Sequence, residues 1–286
     1  MAAPQRTFLF HADANAIGGI VNDRNIHSHA SSSLPLAGGI VNKEHIVPPR
    51  KRKLAVTYTK ESTHISSRTE NHPEGGGSWT TLVVATIEGL NILDVVEADT
   101  IVAQLEVSHP QDGGEPTITV SGSKFQNLRI NGEKVEPVIR YDLFSEHDGS
   151  LNPDPKRQYP KTSWLKQPKF LDKINVQKDQ HQKAYAALPD TVKHHFHHFA
   201  PANGQNNGSY FICSLIDTLP ALPKHLGVTV CGNGVYIPEY GKFFFGEFIV
   251  QEKTFAVSMV RAQLGSANVG PVSAATVRSN GVPSGP

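Results

Sequence analysis

The sequence predicts an all-β fold, either a β-sandwich or a flattened barrel, with a short helical insertion. Three observations support this prediction. Hydrophobic residues make up 38% of the 286 residues and charged residues 19%, and 24 Gly with 20 Pro favour short strands joined by turns over a helical bundle. Apolar and polar residues alternate in strand-like segments before residue 140 and again after residue 207. Two segments also carry the Asn and Gly residues that are typical of β-hairpin turns.

The chain divides into an N-terminal segment and one larger domain. We expect residues 1–53 to form an arm and the first strands, because the sequence of residues 16–22 recurs in similar form at residues 36–42 and suggests a pair of turn-and-strand units. Residues 54–286 are expected to form a β-rich domain with a helical insertion at about 140–207. Strands from both sides of this insertion are needed to complete one sheet.

Several strands follow from local patterns. The segment 100–107 has one face made of alternating apolar residues, Ile101, Ala103, Leu105 and Val107. Residues 128–135 contain an Asn-Gly pair, which tolerates the positive φ angles of a type I′ turn, and therefore predict a hairpin. Residues 228–237 predict a second hairpin with a slightly longer turn.

The insertion predicts two helices, one over residues 170–188 and a shorter one over residues 191–199 with Asp190 as its N-cap. In the second helix, His194, His197 and His198 would have a workable spacing for Zn²⁺, Ni²⁺ or Cu²⁺. The run contains no Glu, so the metalloprotease pattern with its general base is absent.

The alternative to a metal site is that the histidines are the polar flanks of a buried stripe formed by Val192, Phe196 and Phe199. No other cofactor is expected, because the phosphate-binding loop, the dinucleotide-binding glycine pattern and the serine nucleophile motif are all absent from the sequence. No catalytic residue is assigned.

The strand-like segment 254–264 has apolar residues on both faces. Such a strand is covered on both sides, either at a central sheet position or at a subunit contact. We therefore expect a homo-oligomer, with contact segments at residues 7–21 and 255–279. The candidate contact residues are Phe8, Phe10, Ile20, Phe255, Val257 and Met259.

Charge and hydropathy exclude other partners. The formal net charge of +1 gives no field to attract nucleic acid, and the basic residues 50–53 are expected to protect a strand edge. No run approaches the roughly 18 apolar residues of a membrane span, and no signal peptide is evident. The location is expected to be cytoplasmic, or exported by a route not visible in the sequence. Cys213 and Cys231 are expected to be free thiols, with a single disulfide as the alternative.

Two parts of the sequence resemble a known group of proteins. They are residues 85–132, with Gly89, Gly113-Gly114 and Asn131-Gly132, and residues 241–281, with Gly241-Lys242 and Leu264-Gly265-Ser266. Together they resemble a family of uncharacterised bacterial β-rich proteins, distantly similar to choice-of-anchor surface proteins. The resemblance implies an all-β core and a bacterial source, and it implies no catalytic residues.

Non-enzymatic function is favoured over enzymatic function. The leading hypothesis is a structural, self-assembling β-protein, such as a shell or filament subunit. A carbohydrate- or peptide-binding module is the second hypothesis, with aromatic contacts from Trp79, Trp164, Tyr236 and Tyr240. A metal-dependent hydrolase that uses residues 194–198 is the third.

Overall fold

The computed structural model describes residues 7–48, 54–71, 77–111, 113–144, 163–200, 210–217, 219–251, 253–265 and 267–284. Nearly all strands in these ranges belong to two antiparallel sheets. The strands are β1 Thr7–Leu9, β2 Ala12–Val21, β3 Arg24–Ile26, β4 Ser32–Ser33, β5 Ile40–Ile46, β6 Val56–Thr57, β7 Lys60–Asn71, β8 Gly77–Ile92, β9 Val96–Pro110, β10 Thr117–Thr119, β11 Lys124–Gln126, β12 Arg129–Ile130, β13 Glu133–Lys134, β14 Tyr210–Ser214, β15 Thr229–Cys231, β16 Gly234–Ile237, β17 Gly241–Gln251, β18 Thr254–Leu264, β19 Gly270–Ser279 and β20 Val282–Ser284.

The helices are short and lie mostly in the insertion between β13 and β14. They are the α-helices α1 Pro168–Ala186 and α2 Asp190–Lys193, and the 3-10 helices Tyr141–Phe144, Trp164–Lys166, His194–Phe199 and Lys224–Leu226. The helix predicted over residues 191–199 is therefore only partly correct, because it changes to 3-10 geometry at His194. Pro189, and not Asp190, occupies the N-cap position of α2.

The two sheets form a β-sandwich, which confirms the predicted fold class. In the first sheet the strand order is β13–β12–β9–β8–β7–β5, with β10 and β11 paired to β9 and β6 paired to β8. In the second the order is β15–β16–β17–β18–β19–β2–β3, with β14 paired to β17 and β4 paired to β2. Strands β2, β18 and β19 pack over β7, β8 and β9, and one apolar core includes residues of both sheets.

Strands from both ends of the chain meet in the second sheet. N-terminal β2 pairs with C-terminal β19, so that Asp13 lies opposite Arg278 and Gly19 opposite Val272. The segment expected to be an arm, residues 1–53, supplies β1 to β5. Of these, β1, β2 and β5 pair with strands from the rest of the chain, whereas β3 and β4 pair with β2.

Both predicted hairpins are confirmed. Asn131 and Gly132 adopt positive φ angles of 50° and 84° between β12 and β13, as a type I′ turn requires. The second hairpin joins β15 to β16 through two residues, Gly232 and Asn233, so its turn is as short as the first. The predicted strand over residues 100–107 lies within β9, and its four alternating apolar side chains are buried.

A row of four neighbouring residues shifts the alternation of the second sheet. Ala16, Ala275, Met259 and Gly246 occupy adjacent positions on β2, β19, β18 and β17, where the regular pairing is interrupted. Gly246 and Ala275 have positive φ angles of 64° and 49°. In β18, the consecutive residues Met259 and Val260 are both buried. The apolar pattern of residues 254–264 is thus accommodated at a central sheet position within one chain.

The helical insertion covers the outer face of the second sheet. Phe170 and Ile174 of α1 join the main core, and Phe196 and Phe199 form a smaller cluster with Cys231 and Phe244. This cluster buries aromatic side chains that point away from the centre of the sandwich. Among the described helices, none is long and apolar enough to cross a membrane.

Candidate functional site at strand β5

Strand β5 forms one edge of the first sheet. All seven of its residues pair with β7, from Ile40 opposite Ser66 to Ile46 opposite Lys60. In the part of the chain that the structure describes, no strand pairs with its other edge. Ile40 and Ile46 lie at the two ends of the strand with 68% and 66% of their surface exposed. This edge therefore combines free backbone hydrogen-bonding groups with exposed apolar side chains.

The two faces of β5 carry different chemistry. Asn42 and Glu44 lie on the face shared with Ile40 and Ile46, because side chains alternate along a strand. There, Asn42 Oδ1 lies 2.5 Å from Nδ1 of His64, and Glu44 forms an ion pair of 3.1 Å with Lys60. The opposite face carries Val41, Lys43 and His45.

His45 belongs to a cluster with His29 and Glu61. One ligand atom from each side chain lies within 4.8 Å of those of the other two. Glu61, opposite His45 on β7, is fully buried, His45 is half-buried and His29 is exposed. The two imidazole rings are tilted against each other, with their centroids 4.4 Å apart. Two imidazoles and a carboxylate thus meet at the margin of the sandwich.

The segment between β3 and β4 brings His29 to this cluster. The carboxylate of Glu61 accepts hydrogen bonds from Ser28 Oγ at 2.7 Å and from the backbone N–H of His29 at 2.8 Å. Two residues further along β7, the hydroxyl of Thr63 donates to the carbonyl of Ala30 at 2.6 Å. Ser32 Oγ lies 2.6 Å from the same Thr63 hydroxyl. These bonds fix the segment over the end of β7.

The structure does not bring the predicted metal ligands His194, His197 and His198 together. Among the described residues, one group of three or more His, Cys, Asp or Glu side chains has ligand atoms that all lie within 4.8 Å of one another. It consists of His29, His45 and Glu61. His194, His197 and His198 do not form such a group, because their segment is a 3-10 helix in which Phe196 departs from helical dihedral angles.

His198 packs instead among aromatic rings. Its ring lies 4.0 Å from that of Phe199 and 4.8 Å from that of Phe244, centroid to centroid. Burial and, secondarily, the charge of Arg261 lower the pKa of His198 to about 3. His195 stacks on Tyr236 at 3.5 Å. Of the three residues expected to form a buried stripe, Phe196 and Phe199 are buried, whereas Val192 is half-buried.

A small cavity lies between α1 and the second sheet. It is lined by polar residues that include Gln177, His181, His198, Asn233 and Glu247. Its volume of about 30 Å³ has room for roughly one water molecule. A cavity of this size does not accommodate an organic substrate beside the histidine run.

The candidate contact residues are mostly internal. Five of them are buried within a single chain, namely Phe8, Phe10, Phe255, Val257 and Met259. Ile20 is the exception, with an exposed side chain. The burial of the five therefore follows from the fold of one chain and requires no second subunit.

The remaining candidates are distributed as follows. Trp79 and Trp164 are buried, and the indole N–H of Trp164 donates to the carbonyl of Pro116 at 2.8 Å. Of the aromatic residues expected to contact a glycan or peptide, only Tyr236 and Tyr240 retain appreciable exposure. Residues 50–53, the basic run, lie outside the described residues.

Cys213 and Cys231 are both free and buried. Burial raises the pKa of each thiol to about 12. Neither thiol is therefore activated as a nucleophile.

Comparison with known proteins identifies the family. A family model described as "Domain of unknown function (DUF8256)" matches residues 8–251. The chain belongs to this family. No curated protein and no solved structure gave a match. The description of the DUF8256 family names no activity, and the match does not extend to choice-of-anchor surface proteins.

The His29, His45 and Glu61 cluster of this DUF8256 member could not be recognised from spacing. Its three residues are far apart in the sequence and lie in the β3–β4 segment, on β5 and on β7. One signal was available. Glu61 lies in phase with Thr63 and Ile65 on the buried face of β7, and a carboxylate on a buried strand face requires a polar or charged partner.

Proposed function

We propose that this chain is a non-enzymatic structural protein that associates with a second copy of itself through the free edge of β5. One observation carries the proposal: β5 exposes a seven-residue edge with Ile40 and Ile46 at its two ends, and no described strand covers it. Unpaired strand edges are templates for the addition of a strand from another chain.

The sequence of β5 is complementary to itself in the antiparallel direction. A two-fold axis that passes through Lys43 places Ile40 opposite Ile46 of the second copy, and Asn42 opposite Glu44. The amide group of Asn42 can donate to the carboxylate of Glu44, and its Nδ2 is available because its Oδ1 is the atom near His64. Each such pair occurs twice, because the two copies are related by symmetry.

Lys43 opposes this pairing. On the axis it faces its own copy, and like charges directly opposite each other destabilise a strand pair by roughly 0.2–1 kcal/mol. The proposed dimer is therefore weak at low ionic strength and is strengthened by salt, which screens the repulsion.

Two further observations support a non-enzymatic role. The thiols of Cys213 and Cys231 are buried and not activated. The cavity beside the histidine run has room for roughly one water molecule, which argues against a hydrolase site at residues 194–198.

The test is the molar mass in solution, measured by light scattering over a range of protein and salt concentrations. The unchanged protein is expected to be in monomer–dimer equilibrium. Lys43→Thr is expected to shift the equilibrium towards the dimer, and Ile46→Lys is expected to abolish the dimer. Val176→Lys, which changes an exposed apolar residue on α1, is the matched control and should leave the equilibrium unchanged.

A protein that stays monomeric at all concentrations, even with Lys43→Thr, contradicts the proposal. So does a dimer that persists in Ile46→Lys and is lost in Val176→Lys, because the contact would then lie at the insertion and not at β5.

A further inference from the structure

Glu61 is a buried carboxylate that has no charged partner among the described residues. No Lys or Arg of the described residues forms an ion pair with it, although its side chain is excluded from solvent. It accepts three hydrogen bonds, from Ser28 Oγ, from the backbone N–H of His29 and from the Tyr58 hydroxyl at 3.4 Å. Buried charges are normally paired or coordinate a metal.

The carboxylate retains one position for a further ligand. Two of its three hydrogen bonds go to Oε1, and only that of Ser28 goes to Oε2. Since each carboxylate oxygen has two lone pairs, Oε2 can still bind a cation. The imidazoles of His29 and His45 are the nearest groups with metal-ligand chemistry.

We propose that His29, His45 and Glu61 bind one divalent transition-metal ion, and that zinc is its best match. Two imidazole nitrogens and one carboxylate oxygen form a donor set that suits Zn²⁺ and, less specifically, Fe²⁺, Ni²⁺ or Cu²⁺. Hard cations such as Mg²⁺ and Ca²⁺ prefer oxygen ligands and are disfavoured by the two imidazoles.

The geometry requires only a small adjustment. Zinc bonds of about 2.0–2.2 Å hold tetrahedral ligand atoms roughly 3.4 Å apart, whereas these ligand atoms lie within 4.8 Å of one another. Closure by about an ångström is within reach of side-chain rotation, because His29 is exposed and His45 is half-buried. Glu61 stays in place, since its hydrogen bonds fix the carboxylate as outer-shell partners do in metal sites.

The fourth position is open to solvent on the side of His29. Three protein ligands and one water form the coordination of accessible zinc sites. The bound ion would also tie the β3–β4 segment to β5, in addition to the bonds between Thr63, Ala30 and Ser32. Binding needs one chain only, so this site is independent of the proposed self-association.

The test uses the full chain without an affinity tag, stripped of metal with a chelator and titrated with Zn²⁺ in a calorimeter. We expect one ion per chain. His45→Ala and His29→Ala should each abolish this binding. Ser28→Ala should weaken it by roughly 10- to 100-fold, because Ser28 orients the carboxylate. Cobalt provides a second readout, since a tetrahedral Co²⁺ site has visible absorption bands that His45→Ala should remove.

Two control variants make the experiment decisive. His27→Ala removes an exposed histidine from the same segment and should retain full affinity. The triple variant His194→Ala, His197→Ala and His198→Ala should retain it as well. Circular dichroism shows whether each variant is folded. Because His45 is partly exposed, His45→Ala tests the site and leaves the hydrogen bonds accepted by Glu61 in place.

Absence of zinc binding by the unchanged protein overturns the proposal. It is also overturned if the ion is lost in the triple variant and retained in folded His45→Ala, because the metal would then reside at the histidine run.

Discussion

The ring of Phe8 stacks on the ring of Trp79, with centroids 5.0 Å apart and an interplanar angle of 16°. Phe8 lies on β1 and Trp79 on β8, so this stack joins the small β1–β20 pair to the first sheet. Phe8 was a candidate subunit contact and Trp79 a candidate ligand contact. Each side chain covers the other inside one chain.

Phe8→Ala should destabilise the folded chain by about 3 kcal/mol, because it removes a buried aromatic side chain and leaves a cavity against Trp79. Urea denaturation measures the free energy of unfolding. Leu9→Ala, at the adjacent and largely exposed position, is the control and should cost less than about 1 kcal/mol. Equal losses in the two variants would show that the stack does not anchor β1.

Ala275→Val should destabilise the chain by more than about 2 kcal/mol. Ala275 is fully buried and has a φ of 49°, a left-handed conformation that β-branched residues strongly disfavour. Its side chain also has no room to grow in a packed core. Thermal denaturation compares it with Ala256→Val on the neighbouring β18, which should be tolerated. A fully stable Ala275→Val would refute the conformation assigned to the row of four residues.

Acid should destabilise the chain partly through His109. Burial and, secondarily, Lys253 lower the pKa of His109 from 6.5 to about 4. Between these values the unfolded chain binds more protons than the folded chain, so stability rises with pH and falls as the pH drops from 6.5 towards 4. Between pH 7 and pH 5 the loss is about 2 kcal/mol.

His109→Leu should reduce this loss, and His225→Leu, at an exposed position, should not. Urea denaturation at pH 7 and pH 5 measures both variants. An unchanged pH dependence in His109→Leu would exclude His109 as its source. Some acid sensitivity should remain in that variant, because the pKa of His198 is also lowered.

Both thiols should resist alkylation in the native protein. Burial raises the pKa of Cys213 and Cys231, and the thiolate is the reactive form. Mass spectrometry after iodoacetamide treatment should detect no label under native conditions and labels on both cysteines in concentrated guanidinium. Thr191→Cys, at an exposed position, should label at once. Rapid native labelling of either natural cysteine would contradict its burial.

The elements that were predictable from the sequence have local causes. The hairpin at Asn131 and Gly132 follows from residues that tolerate positive φ, and the strand at residues 100–107 follows from strict alternation. In the second sheet, however, the alternation of buried and exposed side chains shifts at the row of four residues that includes Ala275. Ala275 carries no sign of its left-handed conformation, because Gly is the residue that usually marks it. The apolar residues on both faces of β18 were therefore also consistent with a subunit contact.

The candidate site was harder to predict for a different reason. His29, His45 and Glu61 meet only because β5 pairs with β7 and because the segment between β3 and β4, two strands of the second sheet, contacts β7 of the first. Such proximity depends on tertiary packing, which residue spacing does not encode. The run of residues 194–198 was the predicted metal site because its histidines are adjacent. In the structure, His195 and His198 pack against Phe199, Phe244 and Tyr236.

The pairing of β2 with β19 also constrains the biosynthesis of the chain. Asp13 emerges from the ribosome long before Arg278, which lies opposite it. The second sheet therefore cannot close before β19 has been synthesised, and β2 must remain without this neighbour until then. Such long-range pairing folds slowly and exposes nascent strands to aggregation. We expect nascent chains to need chaperone protection, and chains cut short before Gly270 to be degraded.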